Sequence, residues 1–296
     1  MIFFGVVYNY VQAMAYLLRT PRRPGYKLRA GLAYTRLTLL LPAGMLLRWR
    51  RARFLGLRVE AASFWNIHYL FGEIFVRGEY HFVAGRADPL VLDLGANAGF
   101  AVLYVKQLYP DAVVHAFEPD PDTVAMLRRN IARNRLRDVH VHPVAVGATA
   151  GTAEFYVDSQ PGELTMGLLP ERLAGRVAVV RTVPVVRLAD FLADVLAGLP
   201  PGRHVDLLKM DIEGSEPEVL ASLDQPGALA RVDALVVEYH HLIPGRPARL
   251  GGFLSTLERH GFSYKVDAAS VPVASTGQFQ DVLIYAYRHE SGSTAG

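Results

Sequence analysis

The chain has 296 residues, of which 51% are hydrophobic and only 20% charged, so it can bury a substantial core and disorder is not its default state. It contains no cysteine, which excludes disulfides, thiolate zinc sites, iron–sulfur clusters and a cysteine nucleophile, and says nothing about compartment. A net charge of +3 conceals a division: residues 1–60 hold eleven lysines and arginines and one acid, Glu60, whereas the remainder carries 20 bases against 27 acids.

The basic stretch opens with an uncharged run, MIFFGVVYNYVQAMAYLL, followed by Arg19, Arg22 and Arg23, and later a second apolar run, LTLLLPAGMLL, ahead of Arg48. It predicts a helical N-terminal arm over residues 1–60. Three readings of that arm stand open. An aromatic, amphipathic segment backed by arginines suits the inner face of a membrane, as a peripheral contact of a cytoplasmic protein. A lid packed on the following domain uses the same residues. A true span sits at the lower length limit and is weakened by Asn9 and Gln12. No basic residue precedes the first run, so it does not read as a cleaved signal peptide.

From residue 90 the pattern becomes short apolar runs alternating with helical periods. Strands are predicted at Val91–Leu94, Val113–Phe117, Val139–Val146, Val205–Met210, Ala234–Glu238, Tyr264–Asp267 and Val282–Tyr287, with helices near 100–109, 121–134, 187–197, 216–223 and 247–260. This order implies an α/β fold with a doubly wound, mostly parallel sheet. Residues 150–187 alternate without a long helix and read as an inserted strand pair. The last two strands have no helix between them, so the final pairing is expected to be antiparallel. The main domain then runs over 61–290, and the Ser/Gly/Thr tail over 291–296 is expected to be disordered.

The strand at 91 ends in VLDLGANAGF, a tight glycine loop. A dinucleotide fingerprint requires G-x-G-x-x-G, and counting from Gly95 its second and third glycines are replaced by Asn97 and Phe100. What stands there is acid, apolar, Gly, x, Asn, x, Gly, from Asp93 to Gly99, which resembles the first motif of class I S-adenosylmethionine methyltransferases. An acid at the strand end complements a ligand ammonium, and Gly95 and Gly99 provide steric room. Glu118, closing the next strand in HAFEPDP, can accept both hydroxyls of a ribose.

The series DLGANAGF, FEPDP, LRRNIARN, PVAVG, VDLLKMDIEGSEPEVL and VVEYHH, with the lead-in IFVRGEY at 74–80, resembles the FkbM family of S-adenosylmethionine-dependent methyltransferases over about residues 70–287. The resemblance implies a class I methyltransferase (Rossmann-like) sheet. By position, Asp93, Gly95, Asn97 and Gly99 would hold the methionyl end of S-adenosyl-L-methionine, Glu118 its ribose, and Pro119, Ala145 and Val146 its adenine. Tyr80 is a candidate wall of the same pocket, or ordinary core.

The densest charged cluster is KMDIEGSE. Asp211 leaves a strand at its C-terminal end, where ligands bind in open parallel sheets, and strand alternation would put Glu213 on its side. Ser215 and Glu218 match a capping box, and Glu216 would complement a helix dipole. On the next strand Glu238 and His240 alternate onto one side. Asp211, Glu213 and His240 are therefore the catalytic candidates, for removing a proton from an acceptor hydroxyl. Asp211, Glu238 and His240 could alternatively hold a divalent cation such as magnesium, or the cluster could be structural. His140 and His142 alternate along one strand and read as exposed residues.

The loop Asp-Ile-Glu-Gly stands where an amino-methylating enzyme would carry Asn/Asp-Pro-Pro-aromatic, which favours an oxygen acceptor. An acidic body disfavours nucleic acid. The resemblance implies a hydroxyl on a sugar, glycan, polyketide or other secondary metabolite. Two other classes remain: a nicotinamide-dependent oxidoreductase, opposed by the glycine spacing, and a cofactor-binding membrane adaptor without turnover. Oligomeric state is not legible.

Overall fold

The computed structural model describes residues 2–158, 166–173, 176, 178–225, 227–268 and 280–288, so the tail from Ser291 lies outside the described residues. Helices α1 (Ile2–Arg19) and α2 (Pro24–Leu46) form an antiparallel hairpin, pinned by Tyr10 Oη and Thr35 Oγ1 at 2.6 Å and by Lys27 Nζ donating to Leu18 O at 2.8 Å. The arm is not helical throughout. Strands β1 (Arg51–Phe54) and β2 (Leu57–Glu60) close it with an antiparallel hairpin, whose two-residue turn, Leu55-Gly56, takes φ of 48° and 82°. Positive φ at both turn residues matches the twist of the flanking strands. Next come α3 (Phe64–Leu70), capped by Ser63 Oγ accepting from Asn66 N, and a π-helical turn over Phe71–Arg77.

The main domain follows as β3 (Leu90–Leu94), α4 (Phe100–Leu108), β4 (Val113–Phe117), α5 (Pro121–Asn134) and β5 (Val139–His142). An insertion supplies β6 (Ala145–Gly147), β7 (Gly151–Asp158), β8 (Met166–Gly167) and β9 (Ala178–Arg187). The chain then resumes with α6 (Leu188–Gly198), β10 (Leu207–Met210), α7 (Glu216–Ser222), β11 (Ala234–His241), α8 (Leu250–Arg259), β12 (Ser263–Ala268) and β13 (Gln280–Tyr287).

Seven strands form one sheet in the order β12-β13-β11-β10-β3-β4-β5. The pairs from β11 to β5 are parallel, whereas β13 runs antiparallel to both β11 and β12. This is the expected doubly wound sheet with an antiparallel final strand. The order reverses between β3 and β10, which opens a crevice at their carboxyl ends.

The predicted strand Val139–Val146 is in fact two: β5 stays in the large sheet and β6 joins a second, four-stranded sheet of order β6-β9-β7-β8. Pro143 lies at the break, where the missing N–H cannot extend a ladder. The inserted pair is present as β7 and β9, antiparallel from Gly151↔Val185 to Asp158↔Ala178.

The arm shares its core with the sheet. Leu17, Tyr34, Leu37, Leu41 and Phe54 belong to one buried cluster with Phe71, Phe75, Phe100 and Tyr104. Arg22 Nη1 donates to Phe75 O at 2.6 Å and its Nη2 to Tyr104 Oη at 3.1 Å. Glu60 is buried among Arg51, Arg129 and Arg133. Asn130 of α5 ties β2 to the glycine loop, its Nδ2 donating to Glu60 O and Ala98 O, each at 2.8 Å. No helix among the described residues is long and apolar enough to cross a membrane, which removes the spanning reading of the arm.

Candidate active site

The glycine loop is shaped first by packing. Gly95 and Gly99 have φ of 81° and 87°, the left-handed region that suits glycine. A Cβ on Gly95 would stand 1.8 Å from Asp211 O, and one on Gly99 would stand 2.5 Å from Leu127 Cδ1. Glycine at 95 therefore lets the ends of β3 and β10 close on each other. Asn97, also at positive φ, donates its backbone N–H to Glu118 Oε2 at 3.0 Å.

A slot runs from this loop towards the small sheet. Gly95, Asn97, Glu118, Pro119, Ala145 and Val146 line it together with Phe117, Phe155, Met166 and Leu168, and Asp211, Ile212 and Glu213 close the other end. Burial pushes the Glu118 carboxyl up to about 8, although Asp120 N and Asn97 N both donate to it. A carboxyl so enclosed accepts its negative charge only when further donors reach it. The small sheet thus roofs the slot with apolar side chains from an insertion that sequence reading could place only as a strand pair.

Asp93 sits elsewhere. Register pairs it with Lys209 on the neighbouring strand, so the two share a face of the sheet. Its Oδ1 lies 3.2 Å from Lys209 Nζ, yet neither carboxylate oxygen makes a well-directed hydrogen bond, and the residue is 2% exposed. Lys209 also donates to Gly95 O at 2.7 Å and lies 3.4 Å from Asp211 Oδ2. Burial opposes its charge, but Asp93 and Asp211 prevail and raise its pKa. Lys209 therefore neutralises the floor of the site beneath the loop. Tyr80, buried against Lys209 with its ring centroid 5.1 Å from Nζ, donates its hydroxyl towards Asp211 Oδ2 at 3.4 Å.

Asp211 and Glu213 do come together, but not by strand alternation: β10 ends at Met210, and Glu213 sits in a turn with φ of 57°. Arg172, from the insertion, holds Glu213 through Nε at 2.9 Å. The turn is organised by Glu216, which is fully buried and accepts from Ile212 N at 3.1 Å, from Gly214 N at 3.0 Å and from His240 Nδ1 at 2.8 Å. Glu216 is thus far more than a dipole complement. The capping box is absent because Ser215, at φ −90° and ψ 3°, lacks the extended backbone an N-cap needs, and Glu218 instead pairs with Arg246 and Arg249.

His240 Nε2 points into the cluster, 3.3 Å from Glu213 and 4.0 Å from Asp211. Burial opposes its charge, but Glu216, Glu213 and Asp211 outweigh it and push the imidazole up to about 10. His240 is therefore an imidazolium at neutral pH. Burial and repulsion from Asp211 drive the Glu238 carboxyl well above its usual range. Among the described residues, possible ligand atoms fall into two sets within 4.8 Å, Asp211–Glu213–His240 and Glu238–His240–Asp281, so the expected trio of Asp211, Glu238 and His240 is divided between them. His140 and His142 lie apart from the site: His142 stacks on Phe117 with centroids 4.6 Å apart, and both stack on His115 of β4.

Beyond the cluster lies a cleft of about 760 Å³, walled by Gln12, Tyr16 and Arg19 of the arm, Trp65 and Tyr69 of α3, Glu73 and Arg77 of the π-helical turn, and Tyr285 of β13. Gly95, Asn97, Asp211 and Glu213 line both slot and cleft. The sequence offered no signal for Arg172 or Tyr285, since each reaches the site from a distant element. Glu216 was read only as an acid complementing a helix dipole.

Residues 93–264 match the model of the Methyltransferase FkbM domain. The chain belongs to the FkbM methyltransferase family. It is 30% identical over 239 residues to the 31-O-demethyl-FK506 methyltransferase FkbM of Streptomyces tacrolimicus, covering 70% of this chain and 86% of that protein. It is 33% identical over 182 residues to the methyltransferase sdnD of Sordaria araneosa, with coverage of 53% and 69%. It is 30% identical over 147 residues to the 2-O-methyltransferase NoeI of Sinorhizobium fredii, with coverage of 46% and 58%. A solved FkbM methyltransferase of Methylobacillus flagellatus KT superposes with a TM-score of 0.43 and 16% identity, over 86% of this chain and 60% of that one. The FkbM match takes in the glycine loop, Glu118, the small sheet and the acid-rich turn, and leaves the arm outside.

Proposed function

We propose that this FkbM-family protein is an S-adenosylmethionine-dependent O-methyltransferase. The observation that carries the reading is the shared wall: the slot and the cleft meet at Gly95, Asn97, Asp211 and Glu213, so a group held in one abuts a group held in the other. Two relatives, by their names, transfer to oxygen.

The residues present fit the cofactor. Glu118, sealed in the slot with a raised pKa, suits a vicinal diol that donates two hydrogen bonds. The apolar roof of Ala145, Val146, Phe155 and Leu168, with Pro119, suits a purine. The carboxylate of Asp93, ion-paired with Lys209, lies with Gly95 and Asn97 beneath the place for an amino-acid end. S-adenosylmethionine supplies a sulfonium methyl group, open to direct displacement by an aligned nucleophile.

Asp211 is the base. Glu213 is bound to Arg172, Glu216 is sealed behind His240, and His240 is already protonated, which leaves Asp211 as the carboxylate of the shared wall that no arginine holds. It takes the proton of the acceptor hydroxyl, while Lys209 and the His240 imidazolium lie beside it and orient it. Tyr80 fixes its rotamer. The cleft's aromatic faces and carboxyl groups suit a polyhydroxylated acceptor, a sugar, a glycan or a hydroxylated polyketide.

The second reading is a divalent cation held by Asp211, Glu213 and His240, favoured by the closeness of their ligand atoms. It requires His240 to lose its proton. Calorimetric titration with S-adenosylhomocysteine and with NAD, each with and without magnesium, separates these readings. Binding of S-adenosylhomocysteine alone, without magnesium, supports the proposal. Binding of NAD, or of neither by folded protein, overturns it, and methyl transfer abolished by a chelator moves the assignment to the cation.

A further inference from the structure

The α1–α2 hairpin presents leucines to solvent in an ordered way. On α2, Leu28, Leu32, Leu39 and Leu46 are 65%, 63%, 76% and 83% exposed. At about 100° per residue they fall within roughly 40° of one another on the helix surface. Ala30, Tyr34, Leu37 and Leu41, four of the residues that α2 buries, lie on the opposite side. Val7, Val11 and Leu18 of α1, all exposed, form a similar stripe, with the buried Ala13 and Leu17 about 100° or more around the helix from its centre. Such stripes are not the scattered apolar residues of an ordinary surface.

Their surroundings are cationic. Arg29 and Arg36 border the α2 stripe, Arg19, Arg23 and Lys27 surround the turn between the helices, and Arg48 with the part-exposed Trp49 follows Leu46. No acid occurs before Glu60, and Glu60 is turned inward onto Arg51, Arg129 and Arg133. The positive field of this face is therefore unopposed. Apolar stripes with flanking arginines and an interfacial tryptophan are complementary to a bilayer, where acyl chains take the leucines and anionic headgroups take the guanidinium groups. A second copy of the same face would bring like charges together.

We infer that the outer face of the α1–α2 hairpin docks on an anionic lipid surface. Docking there also sets the mouth of the acceptor cleft beside the bilayer, since Gln12, Tyr16 and Arg19 of α1 belong to the cleft wall. If the methyltransferase reading holds, the acceptor is then an amphiphile whose hydroxylated head reaches the cleft from the membrane.

The test is flotation of the full chain with phosphatidylcholine vesicles, alone or mixed with phosphatidylglycerol. Capture by the mixed vesicles and not by phosphatidylcholine alone is expected. L28Q/L32Q/L39Q should reduce capture about tenfold or more, with S-adenosylhomocysteine binding and melting temperature retained. If that variant does not fold, R23E/R29E serves instead and should lose capture likewise. Absence of capture of the wild-type chain, or equal capture of a folded variant, overturns the inference. So does a concentration-dependent dimer of wild-type protein that the leucine variant abolishes, because it assigns the face to a second copy. Flotation is independent of turnover, so it stands or falls apart from the enzymatic reading.

Discussion

Two carboxylate clusters in this protein have opposite balances. At Glu60, one acid meets three guanidinium groups; burial works against its charge, but Arg133, Arg129 and Arg51 outweigh burial and hold it down at about 2. Around His240, Asp211, Glu213, Glu216, Glu238 and Asp281 outnumber the imidazole, Lys209 and Arg172, and Glu213, Glu238 and Asp281 are all raised by burial. The first arrangement is satisfied and fastens the arm to α5. The second is held under electrostatic stress, and such stress persists where a ligand or a reaction relieves it. Surplus cation marks an attachment here, and surplus acid marks a site.

The substitution with the largest expected effect strikes the stressed cluster. Asp211→Asn should lower turnover by about 10²–10⁴-fold, the range of general-base catalysis, with S-adenosylhomocysteine affinity unchanged. Full activity in a folded variant would remove the base and metal roles of Asp211 together. Glu60→Gln, by contrast, should lower stability by about 1–3 kcal/mol, a figure reduced from that of a fully buried pair because the arginines are partly exposed. Turnover per folded molecule should be unaltered, and a matching loss of kcat would erase the distinction between the clusters.

Glu118→Ala tests the slot apart from both clusters. It should weaken S-adenosylhomocysteine by about 1–3 kcal/mol, the value of hydrogen bonds to a charged group. Unchanged calorimetric affinity would remove Glu118 from ribose recognition.

The smallest effects are in the pH dependence of unfolding. Glu60 falls from an ordinary 4.5 to about 2 on folding, so its contribution is complete above pH 4.5 and is lost as pH drops towards 2. His240 rises from 6.5 to about 10, so its contribution is complete below pH 6.5 and is lost as pH climbs through about 10. Denaturant titrations should show the acid loss vanish in Glu60→Gln and the alkaline loss vanish in His240→Gln. If each variant instead alters the other limb, the two clusters are coupled.

Most strands of the sheet were legible, because apolar runs bounded by glycine, proline and acids carry their own period. The break at Pro143 was legible in principle, since proline cannot continue a ladder. The hairpin β1–β2 went unread because its alternation is short and its turn is Leu-Gly and not one of the stronger turn pairs. In the site, Asp211, Glu213 and His240 were found as residue types at strand ends, but the reason given for Glu213 was wrong in detail: a left-handed turn, not alternation, brings it inward.

The sequence by itself determined the order of strands and helices, the family motifs, and a basic arm ahead of an acidic body, since these depend on local period and composition. Tertiary structure decided that Lys209 neutralises Asp93, that Glu216 orients His240, that Arg172 restrains Glu213, and that the arm walls the cleft. Each of those contacts joins residues from separate elements, and no local pattern specifies which distant charge will be buried beside which.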